Sequence, residues 1–219
     1  QDAYLELKPK SKIPIASDWP HQGKRLDDII SANGNLGLIL GLTSGILDID
    51  LDCMEAKALA DVILPAPHAV FDRGSTDSGH YLYQASSFGP RKTFNAEGAK
   101  STFVELRGDG CQTMIPPSIH PCSSPLAFVS FHEKVSEVQY DDLLKSVNLL
   151  AACSEIAQNW CDGHRHSLAL AFSGLCLKEG IEPNLIMYIV QRICEITGDH
   201  EVDDRLNAIR TSYAKPADS

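Results

Sequence analysis

Short aliphatic runs bounded by glycine and proline characterise the first two thirds of the chain. The runs at residues 36–40 and Ile46–Leu51 have the length and the aliphatic side chains of buried strands. Residues 53–64 instead carry apolar side chains three and four positions apart, which predicts a helix. Three later apolar segments are predicted to be further strands, at residues 80–84, 102–106 and 126–131. This pattern predicts an α/β or α+β sheet domain.

The pattern becomes helical from Tyr140 onward. Apolar side chains then recur at helical spacing, at Leu143, Leu144, Val147, Leu150 and Ala151. Residues 167–177 are apolar on nearly all sides, which indicates a central helix, and Pro183 suits the first turn of another helix. We place a boundary within residues 136–148. The prediction is a sheet domain of residues 1–136 followed by a helical domain of residues 137–219.

Composition and charge exclude several classes of protein. No apolar run approaches the roughly 20 residues of a membrane-spanning helix, and residues 1–12 lack the apolar segment of a secretory signal. We therefore predict a cytoplasmic protein with no membrane partner. The 7 cysteines never form a Cys-x-x-Cys pair, so reduced thiols are expected. A net charge of −10 excludes coating of nucleic acid through a broadly basic surface, so any nucleic-acid contact must be local.

Three acids alternate with aliphatic residues at the end of the second predicted strand. Asp48, Asp50 and Asp52 should project from one face, because side chains alternate along a strand. Neighbouring acids then lie roughly 6 to 7 Å apart, and each adjacent pair repels by roughly 2.5 kcal/mol at an effective dielectric of about 20. The segment is either a solvated acidic face or a site for a hard divalent cation. By itself it does not distinguish nucleotidyl transfer from glycosyl transfer or phosphate-ester hydrolysis.

Three further segments follow the acidic strand in a defined order. A Ser-Gly-His sequence ends at His80 at the head of an apolar strand, Glu105 is the single acid of another strand, and residues 116–121 read Pro-Pro-Ser-Ile-His-Pro. In this order they resemble the archaeo-eukaryotic primase superfamily, and specifically the bifunctional primase-polymerase domain of plasmid, phage and other mobile-element replication proteins. The resemblance spans about residues 12–131. Its specificity comes from the ordered set, since each segment alone is a weak signal.

The resemblance implies an α+β fold, with an RRM-like mixed-sheet catalytic domain followed by a small helical domain. It assigns Asp50, Asp52 and Glu105 to metal binding and catalysis, and it makes His80 a further catalytic residue. Asp48 is the alternative in register, because Asp48 and Asp50 fit the same motif one step earlier. We favour the later pair because Asp52 lies where the strand should end and expose its side chain.

The resemblance also implies a nucleotide-binding site. Its predicted residues are Ser78, His80, Arg73, Arg107, Ser118 and His120. The structural alternatives are a core histidine, solvated arginines and a proline-rich segment that only turns the chain. The implied cofactor is Mg²⁺ or Mn²⁺, and the implied partners are nucleoside triphosphates and a single-stranded DNA template. Because the sequence begins at Gln1 without methionine, we expect a piece of a longer protein that carries, or works with, a helicase.

These inferences predict a DNA-templated nucleotidyltransferase, able to start chains, extend them or both, in the replication of a mobile element. One alternative is a primase-like module that binds nucleic acid as an initiator without catalysis; metal-dependent dNTP binding separates the two. Another alternative is a different metal-dependent enzyme with an Asp-x-Asp motif, such as a sugar-nucleotide transferase or a phosphodiesterase. Such an enzyme would not need the Ser-x-His and Pro-Pro-Ser-Ile-His segments together.

Overall fold

In the described part of the chain, all strands precede the four longest α-helices, and one shorter α-helix lies among the strands. The computed structural model describes residues 2–29, 34–74, 77–95 and 102–214 of the 219-residue chain. The strands are β1 Tyr4–Leu7, β2 Asn35–Ile39, β3 Ile46–Leu51, β4 Ala69–Asp72, β5 Gly79–Gln84, β6 Lys92–Asn95, β7 Thr102–Arg107, β8 Gln112–Ile115 and β9 Ala127–Phe131. The helices are α1 Met54–Ile63, α2 Tyr140–Gln158, α3 Arg165–Lys178, α4 Pro183–Thr197 and α5 Val202–Ala214. The predicted α+β class is confirmed, while Ser75 and Thr76 of the segment before the Ser-x-His motif lie outside the described residues.

The strands form two sheets. The larger sheet has six strands in the order β6-β7-β3-β5-β4-β9, and the smaller has three in the order β1-β2-β8. Within the described residues, every pair of these strands is antiparallel rather than mixed in direction. The acidic strand β3 lies in the interior of the larger sheet, between β5 and β7. Its side chains therefore face other layers of the protein on both sides of the sheet.

The two faces of β3 meet different layers. Leu47, Ile49 and Leu51 are fully buried in a hydrophobic cluster that includes side chains of α1 and α2. On the opposite face, Phe71 of β4 belongs to a second cluster with Leu38 of the smaller sheet. Because side chains alternate, the acids of β3 project toward this second layer. The alternation in the sequence thus places the carboxylates between the two sheets.

Helix α2 shares a core with the larger sheet. Val147 and Leu150 belong to the same hydrophobic cluster as Leu47, Ile49 and Leu51 of β3. At the start of the helix, the Tyr140 hydroxyl donates a hydrogen bond to the Pro90 carbonyl at 2.5 Å. The core therefore continues across the boundary predicted after residue 136. The division into two domains stays a prediction.

The last three helices pack on one another around a buried ion pair. Pro183 occupies the first turn of α4, as predicted. The helix ends at Thr197 and is followed by Gly198 in the left-handed conformation (φ 68°) that favours glycine. Asp199 then accepts hydrogen bonds from Arg205 Nε and Trp160 Nε1, both at 2.9 Å. None of the helices in the described ranges is both long and apolar enough to cross a membrane.

Candidate active site

A row of directly opposed residues crosses the larger sheet on the face turned toward the smaller sheet. Asp50 in β3 lies opposite Glu105 in β7 on one side and opposite His80 in β5 on the other. Opposed residues of antiparallel strands share a face, with Cβ atoms about 4.5 to 5.5 Å apart. The strand register therefore brings together three residues, distant in sequence, that were predicted to take part in catalysis.

Arg107 lies among the buried acids. Its Nε donates to Glu105 Oε2 at 2.6 Å, its Nη2 donates to Asp50 Oδ2, and its Nη1 lies 3.7 Å from Asp48 Oδ2. Arg91 donates from Nε to the other oxygen of Glu105, Oε1, at 3.1 Å. Burial on its own raises the pKa of Glu105, but the hydrogen bonds from both arginines outweigh it and lower the pKa. Glu105 is therefore ionised and balanced by two guanidinium groups.

His80 lies between two carboxylates. Its Nδ1 is 3.0 Å from Asp48 Oδ2, and its Nε2 is 3.5 Å from Asp50 Oδ1. Burial lowers the pKa of His80, but the charges of Asp48 and Asp50 outweigh this effect and raise it. The Phe71 ring stacks on the imidazole, with centroids 4.6 Å apart and planes 10° from parallel. The histidine is thus oriented by its neighbours and favoured in its cationic form.

The site opens to solvent through a cleft between the two sheets. Asp50 and Asp52 both line the cleft, and Asp52 follows the last residue of β3 with an exposed side chain. Partial desolvation, followed by the charge of Asp50, raises the pKa of Asp52. Asp48 is fully buried, and the charge of His80 lowers its pKa against the opposing effect of burial. Besides His80, the basic side chains of Lys12, Arg73 and Arg107 line the cleft.

One wall of the cleft joins three of the predicted nucleotide-binding residues. Arg73 Nη2 donates to Ser78 Oγ at 3.2 Å, and Arg73 Nη1 lies 3.3 Å from His120 Nδ1. Desolvation, with the charges of Lys12 and Arg73 next in size, lowers the pKa of His120. This imidazole is therefore favoured in its neutral form, in contrast to His80. The wall combines a guanidinium, a hydroxyl and a neutral imidazole.

Ser118 lies apart from this wall. Its Oγ accepts a hydrogen bond from the Leu36 backbone N–H at 2.8 Å and donates to the Leu36 carbonyl at 3.2 Å. Both of these bonds connect the proline-rich segment to strand β2, and Ser118 is not among the residues that line the cleft. The other predicted site residues line the cleft, except Glu105, which lies opposite Asp50 and contacts Arg107. Ser118 has a structural contact instead.

The comparison with known families agrees with this geometry. Residues 3–138 match the family model for the N-terminal domain of bifunctional DNA primase/polymerase, which is more than half of the chain. The chain belongs to this family. A search of curated proteins finds no match. Membership in the primase/polymerase family implies nucleotidyl transfer, with DNA and nucleoside triphosphates as the substrates.

The acids of this primase/polymerase chain fit a divalent cation in part. Among the described residues, no three carboxylate, imidazole or thiol groups are gathered as a set of metal ligands. The reason is Arg107, which occupies oxygens of both Asp50 and Glu105. Asp50 and Asp52 supply the hard oxygen ligands that Mg²⁺ and Mn²⁺ prefer, and their repulsion would be relieved by a cation. Glu105 can join them only if the arginines release it.

Two basic residues of the candidate site were not predicted from the sequence. Arg91 precedes β6 and reaches Glu105 because β6 pairs with β7. Lys12 lines the cleft because its carbonyl accepts a hydrogen bond from Gln112 Nε2 of β8 at 2.9 Å. Neither residue stands in a motif. Arg91 reaches the site through the pairing of the consecutive strands β6 and β7, and Lys12 through a hydrogen bond with Gln112, which is distant in sequence.

Proposed function

We propose that this protein is a DNA-templated nucleotidyltransferase, a primase, a DNA polymerase or both, that serves the replication of a plasmid, phage or other mobile element. Family membership supports the reaction class. The observation that carries the proposal is the position of Asp50, which lies between His80 and Glu105 and shares a cleft with Asp52 and cationic side chains. Carboxylates beside guanidinium and ammonium groups suit a metal-bound triphosphate.

Asp50 and Asp52 are the proposed ligands of Mg²⁺ or Mn²⁺, with Glu105 as a third ligand once Arg107 moves away. Held there, the cation would supply a lowered pKa for an attacking hydroxyl and positive charge beside the phosphates. The carboxylate of Asp48 does not reach the cleft. Its role is to hold His80 through Nδ1, which directs Nε2 toward the opening beside Asp50.

The cationic side chains are proposed to bind the triphosphate. His80 carries a raised pKa and so can donate a charged hydrogen bond to a phosphate oxygen. Arg73 also lines the cleft, and its guanidinium suits a bidentate phosphate contact. Arg107, when it leaves the acids, would remain within reach of the same phosphates.

The test is nucleotide incorporation. The protein is incubated with a single-stranded DNA template, labelled dNTPs or NTPs and either Mg²⁺ or Mn²⁺, with and without a primer. We expect incorporation by the wild-type protein, none by Asp50→Asn, and normal incorporation by Asp61→Asn, whose side chain forms a surface ion pair with Arg192. Template binding without incorporation would favour the initiator module, and hydrolysis or sugar transfer would favour another Asp-x-Asp enzyme.

A further inference from the structure

The row of opposed residues continues beyond His80 to the edge of the larger sheet. His80 pairs with Phe71 in β4, and Phe71 pairs with Phe128 in the edge strand β9. The rings of Phe71 and Phe128 meet edge to face with centroids 5.9 Å apart. Phe131 lies beside Phe128 at 4.3 Å. One face of the sheet therefore passes from carboxylates, through an imidazole, to aromatic rings.

The outer two rings of this row are open to solvent. Phe128 is 38% exposed and Phe131 is 59% exposed, although Phe71 beside them is fully buried. Two adjacent exposed phenylalanines form an apolar patch that is uncommon on a protein without a partner there. Flat aromatic rings on the face of a sheet suit a stack of bases, which bind in this manner in other single-strand-binding sheets.

Distance and charge connect this patch to the acids. Asp50 and Phe128 are separated by three strand spacings, roughly 14 Å at about 4.8 Å each, which corresponds to about four stacked base steps of 3.4 Å. Arg73 directly follows β4, the strand that lies between the patch and His80, and lines the cleft. A single strand of DNA that runs from the acids to the aromatic patch would therefore pass the guanidinium of Arg73, which can bind its phosphates.

We infer that Phe128 and Phe131 form a stacking platform for bases of single-stranded DNA, several nucleotides from the reacting position. The identity of this strand as template rests on the proposed function. The platform itself requires only an unpaired strand, because base stacking is tolerant of sequence and independent of metal. A protein of net charge −10 cannot hold a strand by bulk attraction, so stacking supplies contact that charge does not.

The experiment measures binding of a fluorescein-labelled oligothymidylate by anisotropy at low salt with EDTA present. Phe128→Ala combined with Phe131→Ala should weaken binding at least about tenfold. Val129→Ala is the matched control, because Val129 lies between the two phenylalanines in β9, is 63% exposed and carries no aromatic ring. It should bind as the wild type does. In Phe131→Trp, the oligonucleotide should quench the new tryptophan. Ser130→Trp should show no such quenching, because Ser130 pairs with Val70 on the opposite face of the sheet.

Three results would each contradict the proposed stacking platform. They are unchanged oligonucleotide binding by the double variant, an equal loss of affinity in Val129→Ala, and no binding by the wild type. Sedimentation is measured in parallel. A change from dimer to monomer in the double variant, with oligonucleotide binding intact, would assign the patch to a second copy of the chain. Asp50→Asn separates the two proposals: it should lose metal-dependent incorporation and keep oligonucleotide binding, so failure of either result is seen independently.

Discussion

At the scale of single residues, Arg107 determines the charge balance of the site. Three acids, Asp48, Asp50 and Glu105, are almost fully buried around its guanidinium. Buried carboxylates without a counterion are strongly unfavourable. The position that Arg107 occupies is also the one from which a cation would contact Asp50 and Glu105. Arginine and metal are therefore expected to compete for these oxygens.

Replacement of Arg107 tests this competition. Arg107→Met should reduce the free energy of unfolding by about 3 kcal/mol without metal, because the acids lose their counterion. Mg²⁺ should recover part of that loss, and should stabilise the variant more than it stabilises the wild type. Urea unfolding with Mg²⁺ or with EDTA measures both effects. Arg91→Met is the control and should lose less stability, since Arg91 is largely exposed. If Mg²⁺ stabilised the wild type and Arg107→Met equally, competition between Arg107 and the metal would be contradicted.

The register of the metal-binding acids is testable at the same scale. Asp52→Asn should abolish synthesis and leave the melting temperature unchanged or raised, because one of two repelling charges is removed. Asp48→Asn should be milder for synthesis but should lower the melting temperature, because His80 loses its buried partner. Incorporation assays and thermal melts of both variants provide the comparison. If Asp48→Asn lost activity and Asp52→Asn retained it, the metal-binding pair would be Asp48 and Asp50 instead of Asp50 and Asp52.

At the scale of elements, a buried ion pair holds α5 against the loop that follows α4. Asp199 is fully buried and accepts from Arg205, whose guanidinium also contacts Glu201 and Asp204. Burial raises the pKa of Asp199, but the hydrogen bonds from Arg205 outweigh it, and the pKa falls to about 2. The ordinary value in an unfolded chain is about 3.9. The carboxylate is therefore stabilised by folding.

The sign of this shift predicts a pH dependence. Since the folded pKa is lowered, the stabilisation is present above about pH 4 and is lost as the pH falls through about 2. Asp199→Asn should cost about 2 kcal/mol at pH 7, with the two exposed partners of Arg205 limiting the loss. The difference from wild type should shrink between pH 4 and pH 2 in urea unfolding. Asp162→Asn is the control and should change the free energy of unfolding little, because Asp162 is exposed in its ion pair with Arg165. If the stability difference between Asp199→Asn and the wild type did not change with pH, the lowered pKa of Asp199 would be contradicted.

At the scale of the whole molecule, the helices and the larger sheet share one hydrophobic core. One face of the larger sheet carries the acids, and side chains of α2 cover its other face. A chain cut after residue 136 loses that cover. We expect it to lose cooperative unfolding and to bind a hydrophobic dye, whereas the full chain unfolds cooperatively. Circular dichroism and urea unfolding test this; a well-folded fragment would support the division into residues 1–136 and 137–219.

Periodicity located the longer elements well. The predicted strand Ile46–Leu51 coincides with β3, and the helix predicted at residues 53–64 differs from α1 by one residue at each end. The strands not predicted, β1, β4, β6 and β8, have four residues each. Four residues carry too few repeats for a period of two to be recognised, and such strands exist only because neighbouring strands provide hydrogen bonds.

The order of residues along the chain establishes which chemical groups are present and which of them share a strand face. These are the alternating acids of β3, His80 two residues after Ser78, and Glu105 within an apolar strand. What these groups contact depends on how the strands assemble. Antiparallel register placed Asp50 between His80 and Glu105, inserted Arg107 among the acids and extended the row to Phe128. Local periodicity contains no information on which distant strands pair, because register is selected by the packing of whole faces.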